Sequence, residues 1–373
     1  MISSRAGLAC VFYRRALMSK KSPAKRLQSS AGPDETRRAI VRSVDRRIMG
    51  QGVLALPCVP ALLDAYVEKL VRMWREMGRI VSEDETVTLR RELEQALSEG
   101  FETSPNALLV VTYRVNPVPE SNLGFHVSVQ PRDVAEYYDD WAEKAGEGAL
   151  FGTHADAKVL ELARSILTTH GSQPAVLDVG AGDGRNALPL AELGCAVDAL
   201  EPSPKLRERL AATAQASGVN VRILASELLA DDLVLGESAY ALVIASEIFT
   251  HLRDAKQLHA ALARLAPALQ PGGMLVFNAF VARDGYNPSA LLLQAAQAAL
   301  SSVFTRAEIA EAVRAHELTL VTEESARDFE KSHLPVTAWP PTPWFESWAS
   351  GRNILDLEAS QVPVTLRWIP LVR

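Results

Sequence analysis

The stretch Val176-Leu177-Asp178-Val179-Gly180-Ala181-Gly182-Asp183-Gly184-Arg185-Asn186 constrains the fold more than any other. A short apolar run, read as a buried strand, ends in three alternating glycines, and a helix over 185–193 follows at once. Glycine is required where a backbone turns with positive φ, and where no Cβ can stand between main chain and ligand. The start of the following helix offers free N–H groups to an anionic part of that ligand. Asp178, two residues before the first glycine, is positioned to accept from a cationic or hydroxylic group.

The same alternation continues downstream. Strands are expected at 175–179, 196–200, 220–225, 240–246, 274–280, 317–323 and 363–371. Helices are expected at 133–145, 154–168, 204–216, 254–269 and 305–315. Short Val/Ile/Leu runs between helices of this length predict a mostly parallel sheet covered on both faces. In such sheets the ligand sits at the carboxyl ends of the strands, so those ends are where chemistry is expected.

The glycine spacing separates two cofactor classes. A dinucleotide loop, G-x-G-x-x-G, would place its third glycine at 185, where this chain has arginine. It would also set no carboxylate at 178, facing a pyrophosphate. The pattern D-x-G-x-G-x-G instead resembles motif I of the class I S-adenosylmethionine-dependent methyltransferases. Glu201 at the end of strand 196–200 resembles the acid with which that family bridges the ribose hydroxyls. Ser226-Glu227 falls where the family contacts the adenine. Tyr240 to Ser246 with Glu247-Ile248-Phe249-Thr250-His251-Leu252 resembles the fourth strand and its loop, and Leu269-Gln270-Pro271-Gly272-Gly273-Met274-Leu275 resembles the turn into the fifth. Gly184-Arg185-Asn186 is similar to small-molecule methyltransferases of the tellurite-resistance type.

The resemblance implies an α/β fold: a Rossmann-like, doubly wound, mostly parallel seven-stranded sheet behind a mainly helical N-terminal extension. It implies S-adenosylmethionine as cofactor, held by Asp178, Gly180, Ala181, Gly182, Gly184, Asn186, Glu201, Pro202, Ser226, Glu227 and Ser246, with no metal. His251, with an intrinsic pKa near neutrality, and its neighbour Glu247 are the candidates for base or substrate ligand. Tyr137, Tyr138 and Trp141 look like the aromatic N-terminal helix that small-molecule methyltransferases fold over the cofactor. Trp344 and Trp348, in a proline-braced loop, either stack on a planar acceptor or close the core at the sheet edge.

Three segments are expected: a basic head at 1–33, an extension at 34–130 and the methyltransferase-like domain at 131–373. In the extension, helical spacing over 60–79 is followed by a capping box at Ser82–Glu85 opening a second helix to about 98. Strands at 107–115 and 125–129 suggest a hairpin. This region reads as a packing or dimerisation unit, or as a lid over an active site.

Charge divides the chain. The formal net charge of −6 combines +9 on residues 1–50 with −15 on the rest (27 basic and 42 acidic residues). An acidic body weighs against nucleic acid as substrate. The head reads as a tail, a transit peptide, a nucleic-acid arm or a false translation start ahead of Met18. No apolar run approaches the ~20 residues of a membrane span. Three dispersed cysteines fit a cytoplasmic, reducing setting. The function expected is methyl transfer to a small organic molecule; methylation of a peptide, protein or RNA gripped by the extension, or an inactive binding protein of the same fold, are the alternatives.

Overall fold

The computed structural model describes residues 31–120, 122–145, 148–170 and 173–373. The basic head expected at 1–33 therefore falls, apart from its last three residues, outside the described residues. The described chain opens with an exposed helix, Pro33–Asp45. Three antiparallel strands follow, β1 (Gly50–Pro57), β2 (Leu108–Val115) and β3 (Leu123–Gln130), in the order β1-β2-β3. The expected hairpin is β2–β3. β1 was not anticipated, because Gly50, Gly52 and Pro57 mask a strand on composition alone. It is held by an unbroken register with β2, from Gly50 opposite Val115 to Pro57 opposite Leu108.

Two helices, Leu63–Glu76 and Glu83–Thr103, cover one face of this sheet. They bury Leu70, Trp74, Leu89, Leu93 and Leu97 against Leu109 and Val111. The capping box at the second helix is present in full: the Glu85 N–H donates to Ser82 Oγ at 3.2 Å, and the Ser82 N–H donates to Glu85 Oε2 at 2.8 Å. Trp74 is fully buried and stacks on Phe125 with ring centroids 5.6 Å apart.

A second sheet of nine strands carries the remainder. Its members are β4 (Ala175–Val179), β5 (Ala196–Leu200), β6 (Val221–Leu224), β7 (Tyr240–Ala245), β8 (Leu269–Ala282), β9 (Val303–Phe304), β10 (Thr319–Leu320), β11 (Glu324–Ser325) and β12 (Val364–Val372). Seven form a continuous path, β6-β5-β4-β7-β8-β12-β10, while β9 pairs with β8 and β11 with β12. β4 to β8 are parallel along this path; β12 runs antiparallel to β8. The strand expected at 317–323 is reduced to two exposed edge residues, Thr319 and Leu320.

Alternate residues of β4 feed opposite cores. Val176 packs with Val159, Leu162, Ile166 and Leu190, whereas Leu177 and Val179 pack with Val243, Phe249 and Leu262 on the other face. The chain leaves β4 toward β5 and β6, then returns to place β7 on the other flank of β4. The strand order thus reverses at β4–β7, where the loops after the two strands diverge and leave a crevice. Among the described residues no helix is long and apolar enough to cross a membrane.

Removing the Trp74 ring leaves a large void between the paired helices and the three-stranded sheet. Trp74→Ala is expected to destabilise this unit by about 3–5 kcal/mol, measured as a lower denaturation midpoint in urea monitored by circular dichroism.

Candidate functional site

A cavity of about 550 Å³ opens at the carboxyl ends of β4 and β7. One wall is the glycine loop after β4. Gly180, Gly182 and Gly184 all have positive φ. A Cβ on Gly180 would stand 1.9 Å from Ile248 Cδ1, and one on Gly182 would stand 3.0 Å from the Phe151 ring. The loop is tied to the end of β5 because the Gly180 and Ala181 N–H groups both donate to Leu200 O, at 2.7 and 3.1 Å. The helix after the loop is shorter than expected, Ala187–Glu192.

Two carboxylates frame this wall and differ in how they are satisfied. Glu201, 4% exposed, accepts from the Gly182 N–H and the Ser203 N–H, each at 2.8 Å. Burial raises its pKa, and the two amides oppose the rise. Asp178, 2% exposed, has Oδ2 buried with no hydrogen-bond partner. Burial pushes Asp178 up to about 7; Arg185 pulls it down, and Asp156 and Glu201 push it further up. A buried, unpartnered carboxylate oxygen beside a Cβ-free cradle suits a ligand with a cationic group, and Glu201 retains lone pairs for hydroxyls. The residues present therefore fit an aminoacyl sulfonium nucleoside, with Asp178 facing its charge.

Behind the loop lies a polar assembly that the sequence did not disclose. The Arg185 guanidinium, with a side chain 8% exposed, lies between Asp156 and Glu247, with Nη2 2.9 Å from Glu247 Oε1. Asp156 Oδ2 also accepts from Ser246 Oγ at 2.7 Å and Asn186 Nδ2 at 3.0 Å, while the Asp156 N–H donates to Asn186 Oδ1 at 2.9 Å. Glu247 has a left-handed backbone, φ 62°, fixed by its N–H donating to Asn278 Oδ1 at 2.7 Å. Burial pushes Glu247 up to about 7 against the pull of Arg185. The available signal was a charged residue, Arg185, at a position where the loop turns into a buried helix.

His251 lies on the opposite wall, in a 3₁₀ turn Phe249–His251 after β7. Its Nε2 is 3.1 Å from the Tyr138 hydroxyl, and its Nδ1 is buried without a partner. Burial lowers His251 to about 4 and raises the Tyr138 phenol well above its ordinary range, so both are neutral near pH 7. Tyr138 belongs to the helix Val134–Ala145, which docks through Asp139 onto Ser203 and the Lys205 N–H.

Of the residues expected to hold cofactor, Asp178, Gly180, Ala181, Gly182, Asn186, Glu201, Pro202, Ser226, Glu227 and Ser246 line the cavity, as do Glu247, His251 and Tyr138. Gly184 lies outside the lining, at a turn packed on Leu188 and Leu210. Four of the aromatic residues expected at the substrate lie outside this lining. Trp344 and Trp348 close the core instead: Trp348 packs edge-on against Phe280 and donates Nε1–H to Ser301 Oγ at 3.0 Å, and Trp344 leans on Phe345 and Trp348. Trp141 is held behind Tyr138 by Phe151. Tyr137 turns under Arg132 toward a separate cavity of about 180 Å³.

The extension closes the remaining side. Thr103, Ser104 and Pro105 from the end of its second helix, and Pro131 to Ala135 after β3, line the same cavity. Arg253, two residues past His251, donates to the carbonyls of Glu102 (3.0 Å) and Phe101 at the C-terminus of that helix.

Comparison with known proteins matches residues 176–273 to the family described as Methyltransferase domain. A ubiquinone biosynthesis O-methyltransferase of Methylocella silvestris is 31% identical over 170 residues, 40% of this chain and 62% of that protein. One from Caulobacter vibrioides is 28% identical over 163 residues, with the same shares. The chain thus spans about 62% of the length of these curated relatives. Among solved structures, the geranyl diphosphate C-methyltransferase of Streptomyces coelicolor A3(2) superposes with a TM-score of 0.47 at 15% identity, covering 65% of this chain and 97% of that one. The match to the methyltransferase domain spans residues 176–273 and contains the glycine loop, Glu201, Ser226, Ser246 and His251 in one segment.

Proposed function

We propose that this chain transfers the methyl group of S-adenosylmethionine to a small organic molecule held in the cavity between the glycine loop and the extension. The observation that carries this reading is the buried Asp178 carboxylate, whose Oδ2 has no hydrogen-bond partner, beside a turn of three positive-φ glycines. A cavity of about 550 Å³ is of ordinary size for a ligand pocket. Its closure by residues 103–105 and 131–135 suits a small acceptor better than a macromolecular one. The O-methyltransferase names of the relatives, and a neutral histidine on the wall, support an oxygen acceptor.

When bound, S-adenosylmethionine supplies a methyl group on a sulfonium whose departure needs no acid. This chain's tasks are to position the nucleophile, exclude water and take a proton where the nucleophile carries one. Asp178 holds the cationic end of the cofactor, Glu201 its ribose hydroxyls, and Ser226 with Glu227 its base. Glu247 is engaged by Arg185, which leaves His251, with its Tyr138 partner, as the group that accepts a proton from an acceptor hydroxyl. The lone pair this step needs is on Nδ1, which has no partner, when Nε2–H donates to the Tyr138 oxygen.

Titration calorimetry should show binding of S-adenosylmethionine and none of NAD, and Asp178→Asn should weaken the former at least about tenfold, the loss of one charge-assisted contact; tight NAD binding would sink the assignment. In the ligand-free protein Asp178 is largely protonated below about pH 7, and a cation binds its ionised form. Affinity should therefore rise with pH by up to about tenfold per unit below that point and level off above it, with proton release on binding. The pH dependence should vanish in Asp178→Asn. His251→Gln should lower turnover by about 10²–10⁴-fold while leaving the cofactor Kd unchanged, measured on the acceptor found by screening metabolite extract with a labelled methyl donor.

A further inference from the structure

Among the described residues the helix Pro33–Asp45 takes no part in any core. None of its residues is buried. Ile40, Val41 and Val44 are 58%, 51% and 56% exposed, and Met49 beyond its end is 75% exposed. Spacings of three and four residues put Ile40, Val41 and Val44 on one stripe. Arg38, Arg42 and Arg46, at i, i+4 and i+8, follow the opposite side. Arg37 and Arg47 flank the stripe.

None of these five arginines forms an ion pair or a side-chain hydrogen bond among the described residues, although ion pairs recur throughout the rest of the molecule, at Arg79, Arg90, Arg185, Arg222, Arg306, Arg327 and Arg367 among others. Among the described residues only its C-terminal end is attached: the Val118 N–H donates to Arg46 O at 3.3 Å, and Gly78 abuts Asp45 O. A 13-residue helix with no tertiary packing is marginal in water, so something must cover its apolar stripe for it to persist.

We propose that this helix is a docking surface for an anionic lipid bilayer, lying in the headgroup plane with Ile40, Val41 and Val44 turned into the acyl boundary. Charge complementarity selects the occupant. Residues 1–50 carry a net +9 and the remainder −15, so an anionic surface attracts this end of the chain and repels the catalytic body. Nucleic acid would satisfy the arginines but leave the apolar stripe in water; a bilayer interface satisfies both. A stripe of three side chains gives weak attachment alone, and the clustered arginines supply the second contribution that stable peripheral binding requires. The inference is independent of the reaction proposed above.

Flotation of the full chain with vesicles tests it, using phosphatidylcholine alone and phosphatidylcholine mixed with phosphatidylglycerol. The protein should float with the anionic vesicles and not the neutral ones, and added salt should release it as the screening length shortens. Ile40→Glu with Val44→Glu should cut anionic-vesicle binding at least about tenfold, and each of Arg38→Glu and Arg42→Glu about fivefold or more. S-adenosylmethionine binding by calorimetry should be unchanged in all of them, which certifies the fold. Equal flotation on both vesicle types would overturn the proposal. So would binding that survives the Ile40→Glu, Val44→Glu change, or binding to duplex DNA that exceeds vesicle binding and ignores that change.

Discussion

The site is organised around one buried guanidinium. Arg185 is enclosed between Asp156 and Glu247, contributed by segments before β4 and after β7. Replacing such a pair by apolar side chains often costs nothing in stability, whereas removing one partner strands a buried charge. Its value here is geometric. Asp156 binds Ser246 and Asn186 as well, and Glu247 is held in a left-handed conformation by Asn278. The loops after β4 and β7 are therefore locked to each other, and the distance between them is the width of the cavity. His251 inherits its place from that lock, because the Thr250 hydroxyl donates to Glu247 O at 2.9 Å.

Charge around the cavity is out of balance by design of the loops. Asp178, Glu247 and Asp156 share one deeply buried arginine, Arg185, while Glu201 faces Arg207; burial raises Asp178, Glu201 and Glu247. Glu201 is relieved by two backbone amides and Glu247 by Arg185. Asp178 Oδ2 is left unrelieved, so this oxygen gains most when a cation arrives. The function proposed above follows this polarity, with the charged end of the ligand at β4 and its hydroxyls at the end of β5.

The parts of this arrangement that sequence alone discloses are those that backbone chemistry dictates. Alternating glycines on a buried strand admit few conformations, and Val/Ile/Leu runs between amphipathic segments admit few sheets, so β4, β5, β6, β7 and β12 fall close to their expected spans. The Asp156–Arg185–Glu247 cluster was hidden because its members are 29 and 62 residues apart, with no local pattern joining them. β1 was hidden by its glycines and proline, and only pairing with β2 makes it a strand. Trp344 and Trp348 illustrate a different limit. An aromatic, proline-rich loop has the same composition whether it covers a ligand or seals a core, and the choice is made by Phe280 and Ser301, more than forty positions away.

The extension cannot be treated as an appendage to this chemistry. Arg253 anchors to the carbonyls of Phe101 and Glu102, where the helix Glu83–Thr103 ends and its dipole is negative, and its guanidinium lies 5.0 Å from the centre of the Phe101 ring. The Arg253 N–H is in turn held by Gln257 Oε1 at 2.8 Å, and its carbonyl accepts from Gln297. One residue thus fixes both the turn that presents His251 and the helix end that contributes Thr103 to Pro105. A shift of that helix end would move Thr103 to Pro105 and His251 together. Thr103 to Pro105 thereby form one wall of the cavity at the ends of β4 and β7.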